Sequence, residues 1–98
     1  MRCAQCKKEI MDEPRAAISG SIMGDEVTDV YYFCPDCRVY TVDVCRDRFL
    51  GEEEASVRGP LKEAEGDEQV ALIQQCSESW DKKCRCPAHR AYFGEWLD

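Results

Sequence analysis

Two C-x2-C pairs, Cys3-Ala4-Gln5-Cys6 and Cys34-Pro35-Asp36-Cys37, enclose residues 7–33 and constrain this chain more than any other feature. Two residues between cysteines form a tight knuckle that aims both sulfurs at one point. Two such knuckles supply four ligands to a tetrahedral ion. A chain of 98 residues needs such a cross-link, because at this length folding buries only about two thirds of the surface of the unfolded chain. Eight cysteines in so short a sequence mean either a disulfide framework or metal ligation, and the redox compartment decides between them. The opening MRCAQCKKEI has no apolar leader run. No segment approaches the roughly 18 apolar residues of a membrane span. The expectation is therefore a cytoplasmic protein with reduced thiols, in which Cys3, Cys6, Cys34 and Cys37 hold a structural zinc site with four thiolate ligands.

Between and after the knuckles the chain reads as strands. Arg15–Met23 and Val27–Phe33 alternate in polarity around the turn signal Gly24-Asp25-Glu26, and residues Arg38–Cys45 form a third alternating, β-branched run. The glycines and acids of GEEEASVRG, residues 51–59, predict a linker or a loose turn. Helix formers follow, with Pro60 suited to a first helical position, so a helix is expected to begin there or at Asp67. Within it Val70, Ile73, Ser77 and Trp80 share one stripe, while Leu72, Cys76 and Trp80 recur at i, i+4 and i+8. This puts Cys76 on the buried face.

The stretch CRCPAHR gathers Cys84, Cys86 and the sole histidine, His89, within six residues, with Pro87 stiffening the loop. These three ligands need a fourth. Cys76 would complete a local zinc site of three cysteines and one histidine, whereas Cys45, at the end of the third strand, would tie the two halves of the chain together. Cys76 is favoured by its proximity. Two zinc ions are expected in all, and the cysteine left over is read as an ordinary thiol. Tyr92, Phe93, Trp96 and Leu97 close the chain as an apolar segment that should pack onto the sheet or helix.

Knuckle, hairpin, knuckle and third strand together resemble a zinc ribbon over residues 1–48, with Cys3, Cys6, Cys34 and Cys37 at the family's ligand positions. Lys7 and Arg38 stand where that family usually has a glycine after each knuckle. YFCPDC is also similar to the second half of a rubredoxin, a likeness that implies iron and electron transfer at the first site. The expected architecture is a small, metal-stabilised α+β domain. It comprises a three-stranded antiparallel zinc ribbon (1–48), an acidic linker (49–59), and one helix followed by a Cys/His metal-binding tail (60–98).

The charge bears on partners. Formal net charge is -7, and residues 49–79 carry 2 basic against 8 acidic side chains. Thiolate-ligated zinc would take the total to about -10. Phosphate backbones are repelled by such a surface, leaving only Lys82, Lys83, Arg85 and Arg90 as a local basic patch. Nucleic acid is therefore not the expected partner, and a protein is. No Ser-His-Asp ordering, phosphate-cradling glycine loop or open metal position points to an enzyme or to a small-molecule substrate.

Overall fold

The computed structural model describes residues 1–48 and 51–97, apart from the side chain of Trp96. Four antiparallel strands form one meander in the order β1-β2-β3-β4. β1 spans Ala16–Ile22, β2 Asp25–Cys34, β3 Val39–Asp47 and β4 Glu53–Lys62; helix α1 (Glu63–Gln74), helix α2 (Pro87–Phe93) and a 3-10 turn (Gly94–Trp96) follow. No helix among the described residues is long and apolar enough to cross a membrane.

The first hairpin turns through Met23 and Gly24, since Ile22 pairs with Asp25. Both turn residues have positive φ, 52° and 86°, the combination whose twist matches the flanking strands. The turn thus lies one residue earlier than the Gly24-Asp25-Glu26 signal implies. Period-two alternation on β2 sends Val27, Asp29, Tyr31 and Phe33 to one face, and Tyr40 and Val42 on β3 share it. Ile18, Tyr31, Phe33, Tyr40 and Val42 from the strands meet Val70, Ile73 and Phe93 from the helices to form the main core. On the opposite face, Cys3, Ile10 and Cys34 pack with Tyr32 and Val39 in a second cluster. The sheet therefore separates two apolar layers.

The fourth strand corrects the expectation of three. Glu53–Lys62 pairs with β3, from Asp47↔Glu53 to Val39↔Lys62 with a register shift between Tyr40 and Val42, where composition predicts a linker and a helix start at Pro60; residues 49 and 50 of that linker lie outside the described residues. An edge strand accepts what a central one refuses. Pro60 cannot donate to a ladder, but β4 has a neighbour on one side only, and its acids stay exposed in water. Charged, proline-containing edges also discourage uncontrolled strand pairing.

Helix α1 begins at Glu63, between the two starts read from sequence. Glu63 and Glu65 in its first turn complement the helix dipole. It lies close to the sheet at Gly66, where an added Cβ would overlap the Tyr40 ring. There the Tyr40 hydroxyl donates to Asp67 (2.6 Å) and accepts from Arg15 (2.8 Å). The helix stops at Gln74, so Ser77 and Trp80 do not continue its buried stripe; Trp80 is 72% exposed. Of the expected stripes only Val70 and Ile73 are buried within the helix, and Cys76 is buried just past its end. At the C-terminal end Phe93 is buried, seated against Gly20 of β1, and Leu97 bridges to Ile22. The side chain of Trp96 lies outside the described residues.

Candidate metal centres

Each knuckle is a local structure with the same closure. In the first, Lys7 N–H donates to the Cys3 carbonyl (3.0 Å); in the second, Arg38 N–H donates to the Cys34 carbonyl (2.8 Å). Closing the turn requires left-handed backbone at the fourth position after the first cysteine, and Lys7 (φ 67°) and Arg38 (φ 56°) adopt it. These are the two positions where glycine is usual in a zinc ribbon. The backbone geometry is thus kept by side chains that bear a steric cost of about 1 kcal/mol each.

The Gln5 and Cys6 amides point at Cys3 Sγ, at 3.4 and 3.5 Å. Burial alone would raise the Cys3 thiol, but these backbone donors and the neighbouring sulfurs outweigh it and bring the thiol down to about 7. Cys37 is pushed the other way, to about 12, chiefly by its hydrogen bond to Cys6, then by burial and the remaining sulfurs. The first knuckle is fixed to the sheet by Ala4 N–H, which donates to the hydroxyl of Thr41 at 2.8 Å. Thr41 is fully buried on the same face as Cys34.

The ligand atoms of Cys3, Cys6, Cys34 and Cys37 lie within 4.8 Å of one another, and so do those of Cys76, Cys84, Cys86 and His89. All eight cysteines are free of disulfides. The second group is assembled from three elements: Cys76 just beyond α1, Cys84 and Cys86 in the loop, and His89 on α2. Cys45 is apart. It pairs with Thr28 and Ala55 and is exposed, and the alternation that turns Tyr40 and Val42 toward the helices turns Cys45 away from them.

α2 starts at Pro87 with Cys86 as its N-cap, the cap sulfur accepting from His89 N–H at 3.4 Å. That backbone donor first of all brings the Cys86 thiol down to about 6 against the opposing effect of burial. Cys76 goes up to about 11, first through burial and then through Cys86. His89 is fully buried, with its Nε2 2.9 Å from the carbonyl of Ser19. The carbonyl can only accept, so Nε2 carries the proton and Nδ1 presents its lone pair to the sulfurs. This carbonyl-imidazole arrangement orients a metal-ligating histidine.

A tetrahedral ion with bonds of about 2.3 Å to sulfur and 2.0–2.1 Å to nitrogen sets S···S edges near 3.8 Å and S···N edges near 3.6 Å. The observed separations are 3.9 Å for Cys6–Cys34 and 3.7 Å for Cys76–Cys84. Cys86–His89 Nδ1 is 3.6 Å and Cys76–His89 Nδ1 3.2 Å. Both groups can hold a metal ion. Sequence reasoning does not identify Thr41 or the Ser19 carbonyl as supports, because neither carries a spacing signature.

The chain matches no family model, no curated protein and no solved structure at a significant level. What the geometry fits is a zinc-ribbon-like arrangement, a small antiparallel sheet with one group of four cysteines and another of three cysteines and a histidine.

Proposed function

We propose that this is a small cytoplasmic zinc protein that carries two structural zinc ions and serves as a protein-interaction module. The observation that carries the reading is the pair of four-donor groups, each with its ligand atoms within 4.8 Å of one another. Thiolate-rich sets with one imidazole favour zinc. Four protein donors leave no position for water or substrate, so each ion braces the fold and performs no chemistry. Cys3, Cys6, Cys34 and Cys37 would hold one ion, and Cys76, Cys84, Cys86 and His89 the other.

Exposed acids on an edge strand support a protein partner. Among the described residues β4 has one side of its ladder unpaired and presents Glu53, Val57 and Glu54, the last already paired with Arg48, a surface suited to a basic extended segment. The basic patch supports nucleic-acid binding poorly. Lys82 pairs with Glu26, and Arg85 donates to the carbonyls of Lys82 and Cys84.

Elemental analysis with a visible spectrum tests the metal assignment. Two zinc ions per chain and a colourless protein are expected. A visible ferric-thiolate absorption from iron at the first site would replace this reading with a rubredoxin-like electron carrier. The module reading is tested by charge reversal at Glu53 and Glu54, which should abolish recovery of specific partners that bind wild type while both zinc ions remain.

A further inference from the structure

A carboxylate occupies a core position of β2. Asp29 lies on the stripe of Val27, Tyr31 and Phe33 and is 5% exposed. Its Oδ2 accepts from the Tyr92 hydroxyl at 2.5 Å. The Tyr92 and Tyr31 hydroxyl oxygens are 2.7 Å apart, and Arg58 donates to Tyr31 at 3.1 Å. The guanidinium is 3.7 Å from the same Oδ2. Oδ1 is buried and, among the described residues, has no hydrogen-bond partner. A buried carboxylate oxygen is costly to leave unpaired, since it has given up water for nothing. Burial first, and then the Asp29 charge, push the Tyr92 hydroxyl far above its ordinary range. Tyr92 therefore stays protonated and committed to Oδ2, so Oδ1 needs a donor from elsewhere.

Asp29, Tyr31, Arg58 and Tyr92 line a cavity of about 540 Å³ between the inner sheet face and the helices, within the size range of small-ligand sites. Ile22, Val44, Leu61 and Phe93 give it apolar walls, and Glu65 and Glu68 of α1 also face it. Three carboxylates thus confront one guanidinium that is already turned to Tyr31 and Asp29. The excess is negative, and the orphaned atom is an acceptor.

We propose that this cavity binds an organic cation, a primary ammonium or guanidinium on an apolar stem, whose N–H groups pair with Asp29 Oδ1 while Glu65 and Glu68 face its charge. The stem lies against Leu61, Val44 and Phe93. An internal network alone would account for Oδ2 but not for Oδ1, nor for the two further acids that line the same open cleft. The same cationic head is offered by a free amine and by a lysine or arginine side chain of a partner. The site is separate from both cysteine groups, although α2 carries His89 toward one of them and Tyr92 toward the cavity.

The metal-loaded, full-length protein is titrated with phenethylamine, with N-acetyl-lysine-methylamide and, as an anion of similar size, with phenylpropionate, followed by amide NMR shifts and calorimetry. Saturable shifts at Asp29, Tyr31 and Tyr92 are expected with a cation, and the anion should bind about tenfold more weakly or worse. Tighter binding of the lysine derivative assigns the site to a protein side chain; tighter binding of phenethylamine assigns it to a free amine. Asp29→Asn, which keeps an oxygen for Tyr92, should weaken the cation by about tenfold or more. Absence of saturable shifts with both cations, equal affinity for the anion, or full cation affinity in folded Asp29→Asn overturns the proposal. Should Asp29→Asn not fold, the exposed pair Glu65→Gln and Glu68→Gln decides. Severalfold weaker cation binding at an unchanged melting temperature supports the site, and unchanged affinity overturns it.

Discussion

The two cysteine groups reach similar clusters of four donor atoms by different routes. The first is built twice from one local unit: a cysteine, two intervening residues, a second cysteine and a left-handed residue that closes the turn. Only the meeting of the two units is tertiary, and the β2–β3 hairpin register fixes one of them at the Cys34↔Val39 pair. The second has no repeated unit. It draws on a helix end, a loop and a short helix, and its one histidine is oriented by a strand carbonyl from β1. The Ser79 carbonyl, which accepts from Ser19 N–H at 2.8 Å, adds a further tie to that strand. A site made from local turns can exist before the sheet is complete, whereas a site made from scattered donors depends on the sheet to hold them.

The sharpest way to break the comparison is to remove one donor from each region. Cys76→Ser should release one metal per chain and unravel α2, because a structural zinc contributes about 10–16 kcal/mol of apparent binding free energy in small peptides. Cys45→Ser should keep both metals, its side chain pointing to the far face of the sheet. Native mass spectrometry of the two variants reads the difference directly. Loss of metal from Cys45→Ser, with retention in Cys76→Ser, would reverse the assignment.

Acid should test both groups together. Each pairs a depressed thiol with a raised one: Cys3 at about 7 with Cys37 at about 12, and Cys86 at about 6 with Cys76 at about 11. A thiol below its ordinary value stays a thiolate above that pH and becomes protonated as pH falls through it. Because Cys37 and Cys76 are protonated in the metal-free chain at neutral pH, metal affinity should fall throughout the range below about pH 8, about tenfold per pH unit for each ligand protonated, and more steeply below about 6–7, where Cys3 and Cys86 take up protons too. A chromogenic chelator assay from about pH 8 to about pH 4 measures it. Both ions held unchanged at the acid end would argue against thiolate ligation.

Smaller changes probe the supports. Thr41→Val leaves the Ala4 amide without its acceptor and should cost about 1–2 kcal/mol in denaturant unfolding. Little change in the Cys76, Cys84, Cys86 and His89 group is expected, since the contact serves the first knuckle alone. The smallest effect has the opposite sign. Lys7→Gly relieves about 1 kcal/mol of left-handed strain, but the greater unfolded-state freedom of glycine offsets about 0.4–1 kcal/mol, so the net stabilisation should be no more than about 0.6 kcal/mol. Arg38→Gly should gain less, because Arg38 also pairs with Glu63 at 2.8 Å and an exposed ion pair contributes up to about 1 kcal/mol. A thermal or denaturant series that ranks Arg38→Gly above Lys7→Gly would show that the pair contributes nothing.

The residues themselves determined whatever depends on short spacing. Knuckle geometry follows from two intervening residues, so Cys3 and Cys6, and likewise Cys34 and Cys37, could be read as pairs at once. The alternation of VTDVYYF declared a strand. Cys76 is buried as the sequence pattern implied, but it lies past the end of α1 and not on a helical stripe. Tertiary structure decided the rest. GEEEASVRG has the composition of a linker, and only the ladder offered by β3 makes it a strand, because backbone hydrogen bonds to an edge do not depend on side-chain pattern. The choice of Cys76 over Cys45 was an entropic bias of little more than about 1 kcal/mol on sequence grounds, and the face of the sheet from which Cys45 projects settled which of the two joins the group. Where Oδ1 of Asp29 would find its donor was equally invisible, since burial and the reach of Tyr92 and Arg58 exist only once helix and sheet have closed on one another.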